Sequence, residues 1–160
     1  VGNNAFKDCS SLVSVLGLTN VESIGDYAFY RCVDLVTLTG LNSVLEVGDY
    51  AFCECESLSS SLVMPSVIEI GDNAFKDCSS LVSVTGLTDV ESIEDNAFYG
   101  CTSLENVTLT NTSVSMDEAV FYGCTSLESI TIPKNISTIS YGAFSGCSAL
   151  ETVFIFNENC

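Results

Sequence analysis

The chain has 160 residues, enough for one domain, and its 21 acidic and 4 basic side chains give a formal net charge of -17. This charge makes nucleic acid and anionic lipid poor partners for the chain alone, because both are held chiefly through lysine and arginine, and no nucleic-acid partner is expected. The absence of histidine excludes a histidine-based triad or zinc site, and no apolar run approaches the roughly 18 residues of a membrane span.

A nine-residue segment returns every 23 residues along the chain. It reads IGDYAFYRC at residues 24–32 and returns as VGDYAFCEC, IGDNAFKDC and IEDNAFYGC. Phenylalanine and cysteine columns share the interval: Phe6, Phe29, Phe52, Phe75, Phe98, Phe121 and Phe144, with Cys9, Cys32, Cys55, Cys78, Cys101, Cys124 and Cys147. Such a period indicates a solenoid, in which only the stacking of coils buries the apolar residues.

Each coil is expected to contain one strand and one short helical turn. The strand segments are β-branched and alternate with serine and threonine; they surround Val15, Leu38, Val84, Val107, Ile130 and Val153. Residues 26–29 favour one helical turn capped by Asp26. The spacing therefore predicts an α/β fold. It is a right-handed solenoid of about seven coils over residues 1–160, with a parallel β-sheet on one face and short helical turns opposite.

Two local variations are visible within the repeat. A leucine follows each of Gly17, Gly40 and Gly86, and we expect it to turn inward into the space that the glycine leaves. In other coils the glycine position itself holds the inward residue, which is Leu109, Ile132 or Ile155. In the third coil Ser61 stands at the inward position that holds an apolar residue in the other coils, and the apolar Leu62 comes one residue after it. A bulge that is compensated before Ile70 is therefore expected.

The repeat resembles the BspA-like, Treponema pallidum-type leucine-rich repeats of 23 residues. Residues 124–147, CTSLESITIPKNISTISYGAFSGC, match nearly every position of C-x2-L-x2-I-x-[LI]-P-x2-[LIV]-x2-IG-x2-AF-x2-C, with Ser140 replacing the glycine. The resemblance covers the whole chain. It implies a cell-surface or secreted protein of host-associated bacteria or of protists, associated with adhesion and with binding to host proteins.

The cysteine ladder is predicted to be reduced and buried, because parallel Cβ vectors place neighbouring sulfurs poorly for disulfides. Cys53 stands in a column of mostly lysine and tyrosine, so it is expected to be exposed and reachable by reagent. Cys160 also lies off the ladder, and either could cross-link chains. No metal site is predicted, since Cys53-Glu54-Cys55 lacks further ligands at the usual spacing.

An acidic column is interpreted as a row of helix caps, with calcium binding as the alternative. Its members are Asp26, Asp49, Asp72, Asp95 and Glu118. No carboxylate pair differs in environment from its copies in the next coil, as an acid and a base must. Residues 4–15 also recur identically as residues 73–84, which favours a scaffold over an active site. We predict no catalytic residue and no cofactor.

The outward side chains of the strands form a hydroxyl-rich face, on which the candidate binding residues are Thr37, Thr39, Ser83, Thr85, Asn106, Thr108, Ser129 and Thr131. Leu16 and Leu62 are placed in the same outward columns. A solvated sheet, a face that docks protein or glycan, and an ice-ordering array remain open as interpretations. The sequons at Asn106, Asn111 and Asn135 are as frequent as chance allows and do not distinguish them.

The leading hypothesis is a non-enzymatic surface or secreted protein that mediates adhesion, or binds an extracellular or host-surface protein or a glycan, through its sheet face. The alternative is a structural protein that assembles end to end into a filament or surface layer, because neither end shows the polar cap that solenoids normally carry. Unrecognised caps are a third explanation. We favour a different explanation for the ends without a polar cap, namely that the chain is a fragment of a longer array.

Overall fold

A computed structural model describes residues 1–111, 114–133, 136 and 138–156. They form a parallel β-solenoid of about six turns, and no described helix is long and apolar enough to span a membrane. The strands are β1 Ser14–Val15, β2 Ser23–Ile24, β3 Thr37–Leu38, β4 Glu46–Val47, β5 Leu62–Val63, β6 Glu69–Ile70, β7 Ser83–Thr85, β8 Ser92–Ile93, β9 Asn106–Thr108, β10 Ser115–Met116, β11 Ser129–Pro133 and β12 Thr152–Phe156.

The strands divide between two faces. The first face consists of the pair β1-β3 and a five-stranded sheet in the order β12-β11-β9-β7-β5, and the second face is a five-stranded sheet in the order β10-β8-β6-β4-β2. Pairing is parallel and joins equivalent repeat positions, such as Ile24 with Val47 and Val107 with Ile130. The spacing predicts about seven coils. Six complete turns lie between the seven strands of the first face, so the number of turns is one lower than the predicted number of coils.

The predicted helical turns are absent from the described residues, so the α/β class is wrong in that part. Residues 26–31 form consecutive hydrogen-bonded turns. Tyr27 and Arg31 have φ angles of 54° and 57°, in the left-handed region that an α-helix of L-residues does not enter. Among the residues that the structure describes, the one helix is a 3-10 turn at Leu41–Ser43.

Hydrogen bonding between coils explains why a turn replaces the helix. The N–H of Ala28 bonds within its own turn, to the Gly25 carbonyl at 3.1 Å, whereas the N–H of Phe29 bonds to the Ala51 carbonyl of the next coil at 2.7 Å. In an α-helix every such N–H would point along the helix axis. The alternating turn therefore adds a third ladder that ties each coil to its neighbour.

The repeat phenylalanines stack in one column through the interior. Neighbouring rings are nearly parallel, with centroids 5.1 to 5.6 Å apart. The rings from Phe29 to Phe121 are fully buried, whereas Phe6 in the first coil is 40% exposed. Each ring is covered by the rings above and below it, so the stacking of coils removes it from water. This column confirms the predicted solenoid.

The cysteine ladder lies beside the phenylalanine column. The predicted burial is wrong at the two ends of the ladder, where Cys9 is exposed and Cys147 is half-buried. The ladder cysteines from Cys32 to Cys124 are fully buried and free, as predicted. Each thiol donates to a phenylalanine carbonyl 26 residues earlier, as Cys78 Sγ does to Phe52 O at 3.1 Å. Burial is the main cause that raises the pKa of Cys32 to about 11 and of Cys124 to about 12. These thiols therefore stay protonated and remain donors at neutral pH.

The predicted inward turn of leucine after glycine is confirmed in the interior coils, but Leu18 is half-buried and Ile155 is 59% exposed, so the prediction is wrong for Ile155. Leu41 and Leu87 are 3% and 1% exposed, and the glycines before them adopt positive φ. Gly40 has a φ of 91°, and a Cβ there would lie 2.5 Å from the Leu18 backbone nitrogen. A side chain therefore cannot occupy this position, and the following leucine supplies the buried group.

The bulge in the third coil is also confirmed. Strand β5 pairs with β7 one residue out of the usual register, so that Leu62 lies opposite Val84, while Ile70 on β6 is back in register with Ile93. Ser61 is exposed and Leu62 is only 1% exposed. The placement of Leu62 in an outward column is therefore wrong, because the bulge turns this side chain into the core.

Candidate functional site

The eight candidate residues of the first face are brought to one side of the sheet. Thr37 lies on β3 and Thr39 follows it; the other six lie on β7, β9 and β11, as Ser83, Thr85, Asn106, Thr108, Ser129 and Thr131. All are exposed or half-buried. Buried residues alternate with them, as the pleat of a strand requires. Their role in binding stays a prediction.

The polar side chains of the first face form rows across the strands. Ser83, Asn106 and Ser129 lie opposite one another, and Ser129 Oγ donates to Asn106 Oδ1 at 2.9 Å. Thr108 lies opposite Thr131 in the neighbouring row. Hydroxyl groups both donate and accept hydrogen bonds, so these rows can match polar groups of either kind on a partner.

Sequence reasoning missed an apolar margin at the N-terminal end of this face. Val13, Leu16, Val36 and Val63 are 56%, 66%, 39% and 50% exposed. For Val13 and Val36 the signal was available in their column, which changes from valine to glutamate along the chain: Val13, Val36, Ser59, Val82, Glu105, Glu128 and Glu151. This column therefore changes from apolar in the early coils to acidic in the late ones, whereas on β12 of the same face Val153, Phe154 and Ile155 are 46%, 55% and 59% exposed.

The first face is interrupted between β3 and β5, which do not pair as strands. The hydroxyl of Ser60 replaces a missing ladder partner, accepting the Leu38 N–H at 3.3 Å. A cleft of about 210 Å³ opens at the interruption and is lined in part by Thr39, Asn42 and Val63. The bulge thus places a concave feature where the apolar margin meets the hydroxyl rows.

The acidic column forms a ladder between coils and does not cap helices. Its carboxylates accept the backbone N–H of the next residue in the column: Asp49 N to Asp26 Oδ1 at 3.2 Å, Asp72 N to Asp49 Oδ1 at 2.9 Å, Asp95 N to Asp72 Oδ1 at 3.0 Å and Glu118 N to Asp95 Oδ1 at 2.7 Å. The capping prediction is wrong because each acceptor satisfies a donor of the neighbouring coil and none of its own turn.

Three carboxylates of this region lie close together. Oxygens of Asp49, Asp72 and Glu94 lie within 4.8 Å of one another. Burial, and after it the charge of Asp49, raises the pKa of Asp72, while burial and then Glu69 raise that of Glu94. The ladder bonds account for Asp49 and Asp72 without a cation. The predictions that this column is not a metal site and that the chain needs no cofactor stay predictions.

Cys53 is buried, which contradicts the expectation that it is exposed. It is 3% exposed, whereas Cys9 at the first coil is exposed. The positions equivalent to Cys53 in the adjacent coils carry Tyr30 and Lys76, whose longer side chains can cover a short thiol. Burial is the main cause that raises the pKa of Cys53 to about 12, followed by the charge of Glu54.

The sequons differ in accessibility. Asn106 is exposed on β9, and Asn111 is half-buried, with its Nδ2 donating to the Asp89 carbonyl at 3.2 Å. Asn135 and Cys160, also singled out in the sequence, lie outside the described residues. Glycosylation and cross-linking at these positions stay predictions.

In the comparison with protein families, the chain matches a family model. The model for the BspA type leucine rich repeat region matches six copies, over residues 1–86 and 46–160. No curated protein gives a significant match.

Two solved structures share the fold. The leucine-rich repeat protein of T. pallidum is 28% identical, with a TM-score of 0.64 and a match that covers 82% of this chain and 58% of that one. A leucine rich cell surface protein from Faecalibacterium prausnitzii is 22% identical, with a TM-score of 0.58 and coverage of 99% and 63%. The similarity to the F. prausnitzii protein shows only that the two chains share a fold. The chain spans less than two thirds of the length of either protein.

Proposed function

Because this chain belongs to the BspA-type leucine-rich repeat family, we propose that it is a non-enzymatic surface or secreted protein that binds an extracellular protein through its first face. The observation that carries the proposal is the ordered row of exposed hydroxyl side chains beside Val36 and Val63, exposed apolar residues of the second and third coils, with the cleft at Thr39 and Val63. Protein-binding surfaces combine exposed apolar side chains with polar ones.

The described ionisable groups support a scaffold. The acidic column repeats one bond in successive coils, and the pKa values of Asp72 and Glu94 both move upward. Acid–base catalysis instead needs two groups whose environments push their pKa values apart. The family also consists of repeat proteins, so we propose binding without chemistry.

The surface location is part of the proposal. The F. prausnitzii protein with the same fold is a cell surface protein, and the repeats resemble those associated with adhesion to host proteins. A host-surface protein is therefore the proposed partner, with a glycan as the competing ligand. The end-to-end alternative rests on apolar residues where this chain begins and ends, and no conclusion about assembly follows from those positions.

A charge-insertion variant tests the first face. Replacing Thr39, Thr85, Thr108 and Thr131 by Glu should weaken binding of the fluorescently labelled chain to cultured epithelial cells by at least about tenfold. The reason is that each carboxylate would have to lose water against the partner. Flow cytometry at several concentrations measures the loss, and urea unfolding of the purified variant checks that the fold is intact.

The matched control places four glutamates in a column outside both sheets, at the exposed residues Ser10, Thr102, Thr125 and Ser148, where Glu56 already stands in the third coil. This variant should bind cells as the wild type does. Mild proteolysis of the cells should abolish binding and periodate oxidation should not; the opposite result would identify a glycan. Equal binding by both glutamate variants would contradict a role of the first face.

A further inference from the structure

A cavity of about 520 Å³ lies on the turn side of the late coils, and none of its lining residues belongs to a strand of either face. Tyr99, Tyr122 and Tyr141 supply its aromatic walls, and Asp95 and Glu118 line it as well. The Tyr99 and Tyr122 rings stack with centroids 4.8 Å apart, and Tyr141 is 86% exposed. No basic residue is among the lining residues.

The cavity originates in a change of one repeat position. Tyr27 and Tyr50 occupy this position in the second and third coils, where their rings stack 4.8 Å apart. Asparagine occupies it in the first, fourth and fifth coils, and Ala119 and Gly142 occupy it in the sixth and seventh, so only the last two coils have neither an aromatic nor a polar side chain there. Ala119 has a φ of 52°, close to the 54° and 55° of the two tyrosines. The backbone is therefore the same, and the missing rings leave the space open beside Tyr122.

The chain itself shows what the tyrosines of this repeat accept. In the early coils Lys7 Nζ lies 4.8 Å from the centroid of Tyr27 and 5.3 Å from that of Tyr30. In a later coil Lys76 Nζ lies 5.1 Å from the centroid of Tyr99. A cation within about 6 Å of an aromatic face is attracted by the quadrupole of the ring. Lys7 and Lys76 each belong to the coil before the ring that lies 23 residues later. The corresponding face of Tyr122 is covered by Tyr99, so its other face, toward the short side chain of Ser145 in the following coil, is the one available to a ligand.

We propose that this cavity binds the ammonium group of a lysine side chain presented by a partner protein. The ammonium would lie against the uncovered face of Tyr122 and against Tyr141, with Asp95 and Glu118, which precede Tyr141 in the same column, supplying the opposite charge. The carboxylates distinguish this cavity from one for an apolar ligand, because an apolar group would remove them from water without compensation. A chain of net charge -17 also steers cations toward it. This site is separate from the first face and does not depend on it.

The first experiment titrates three probes into the isotopically labelled full chain and follows its NMR spectrum. Nα-acetyl-lysine methylamide should shift the signals of Tyr122, Tyr141 and the Ala119 methyl group, and higher salt should weaken its binding. Nα-acetyl-norleucine methylamide has a similar shape without the charge and should leave these signals in place. Choline is the third probe. If choline bound and the lysine derivative did not, the lysine assignment would be overturned in favour of a small quaternary ammonium ligand.

Variants test the cavity itself. Ala119→Tyr restores the ring of the early coils at a compatible φ, so it should fold normally and abolish lysine binding by filling the space. Tyr122→Ser should weaken binding by roughly 3- to 30-fold, the range expected for one cation–aromatic contact. Glu118→Gln should weaken binding and reduce its dependence on salt.

Two controls separate the cavity from general charge and from the first face. Glu105→Gln removes one exposed charge next to β9 of the first face and should not change lysine binding. The variant with four glutamates on the first face should also bind the lysine derivative, so the two proposals can fail independently. Unchanged binding in Ala119→Tyr, or equal binding of the lysine and norleucine derivatives, would overturn the cavity proposal.

Discussion

At the scale of single residues, the burial of a residue that departs from the repeat depends on the side chains at the same position in the adjacent coils. Cys53 replaces a longer side chain, and it is 3% exposed in a coil that lies between those of Tyr30 and Lys76. Burial, then the negative charges of Glu54 and Asp77, raises its pKa to about 12. Access and thiolate formation are therefore both suppressed at a position where the repeat pattern alone favours exposure.

Cys9 should be the reactive thiol of the described chain, because only a thiolate attacks the reagent and Cys9 is exposed. In a Cys160→Ser background, brief treatment with iodoacetamide at pH 8 should label Cys9 first and leave Cys53 and the buried ladder largely unlabelled. Peptide mass spectrometry measures the labelling at each site. Cys9→Ser should remove the fast phase, and labelling of Cys53 as fast as that of Cys9 would contradict its burial.

At the scale of the elements, the turns are held by bonds between coils. The acidic ladder contributes one of them per coil, and it needs an oxygen acceptor but not a charge. Asn3 shows this, since its Oδ1 accepts the Asp26 N–H at 3.1 Å. The charge itself is disfavoured at Asp72, where burial and the neighbouring Asp49 raise the pKa. The ladder therefore depends on the side-chain oxygen of aspartate as an acceptor and not on its negative charge.

Asp72→Asn and Asp72→Ala should separate the hydrogen bond from the charge. Asn keeps the Oδ1 acceptor and should raise the free energy of unfolding at pH 7, whereas Ala should lower it by about 1 kcal/mol through loss of the bond to Asp95 N. A raised pKa in the folded state means that stability from Asp72 is lost as pH rises through that pKa. The gain from Asn should thus shrink below pH 3.8, the ordinary pKa of an aspartate side chain, where wild-type Asp72 is protonated. Urea unfolding at pH 3 and pH 7 measures both effects, and a pH-independent gain would contradict the electrostatic cause.

At the scale of the whole molecule, the solenoid stacks like charges. Among the residues that the structure describes one ion pair forms, from Arg31 Nε to Glu54 Oε2 at 3.2 Å, while the chain carries a net charge of -17. Regular stacking brings each acidic side chain of a column beside its copy in the next coil. The folded state therefore carries a repulsion that an expanded chain relieves.

Salt should stabilise the solenoid by screening this repulsion. Raising NaCl from 0.01 M to 1 M shortens the screening length from about 30 Å to about 3 Å, so the urea midpoint should rise. The double variant Glu105→Gln and Glu128→Gln removes two exposed charges of one column and should show a smaller rise than the wild type. A midpoint that falls with salt, or an equal rise in the variant, would contradict the account.

The residues that point inward could be predicted from the sequence because each is repeated in successive coils. The phenylalanine and cysteine columns, the inward turn of Leu41 and Leu87 after glycine, and the bulge at Ser61 all follow from aligning the copies. The polar rows of the first face could be placed for the same reason, since side chains alternate across a strand.

Tertiary structure alone decided whatever depends on contacts between coils. Residues 26–29 have the local sequence of a helical turn, but N–H groups directed to the next coil, such as that of Phe29, make a different conformation more favourable. Cys53 is buried beside residues 23 positions away on either side, and the cavity at Ala119 joins side chains of several turns. The sequence determined the period and the core of this protein. The turn conformation, the burial of an irregular side chain and the cavity were decided by stacking, because they depend on what the adjacent coil places against each residue.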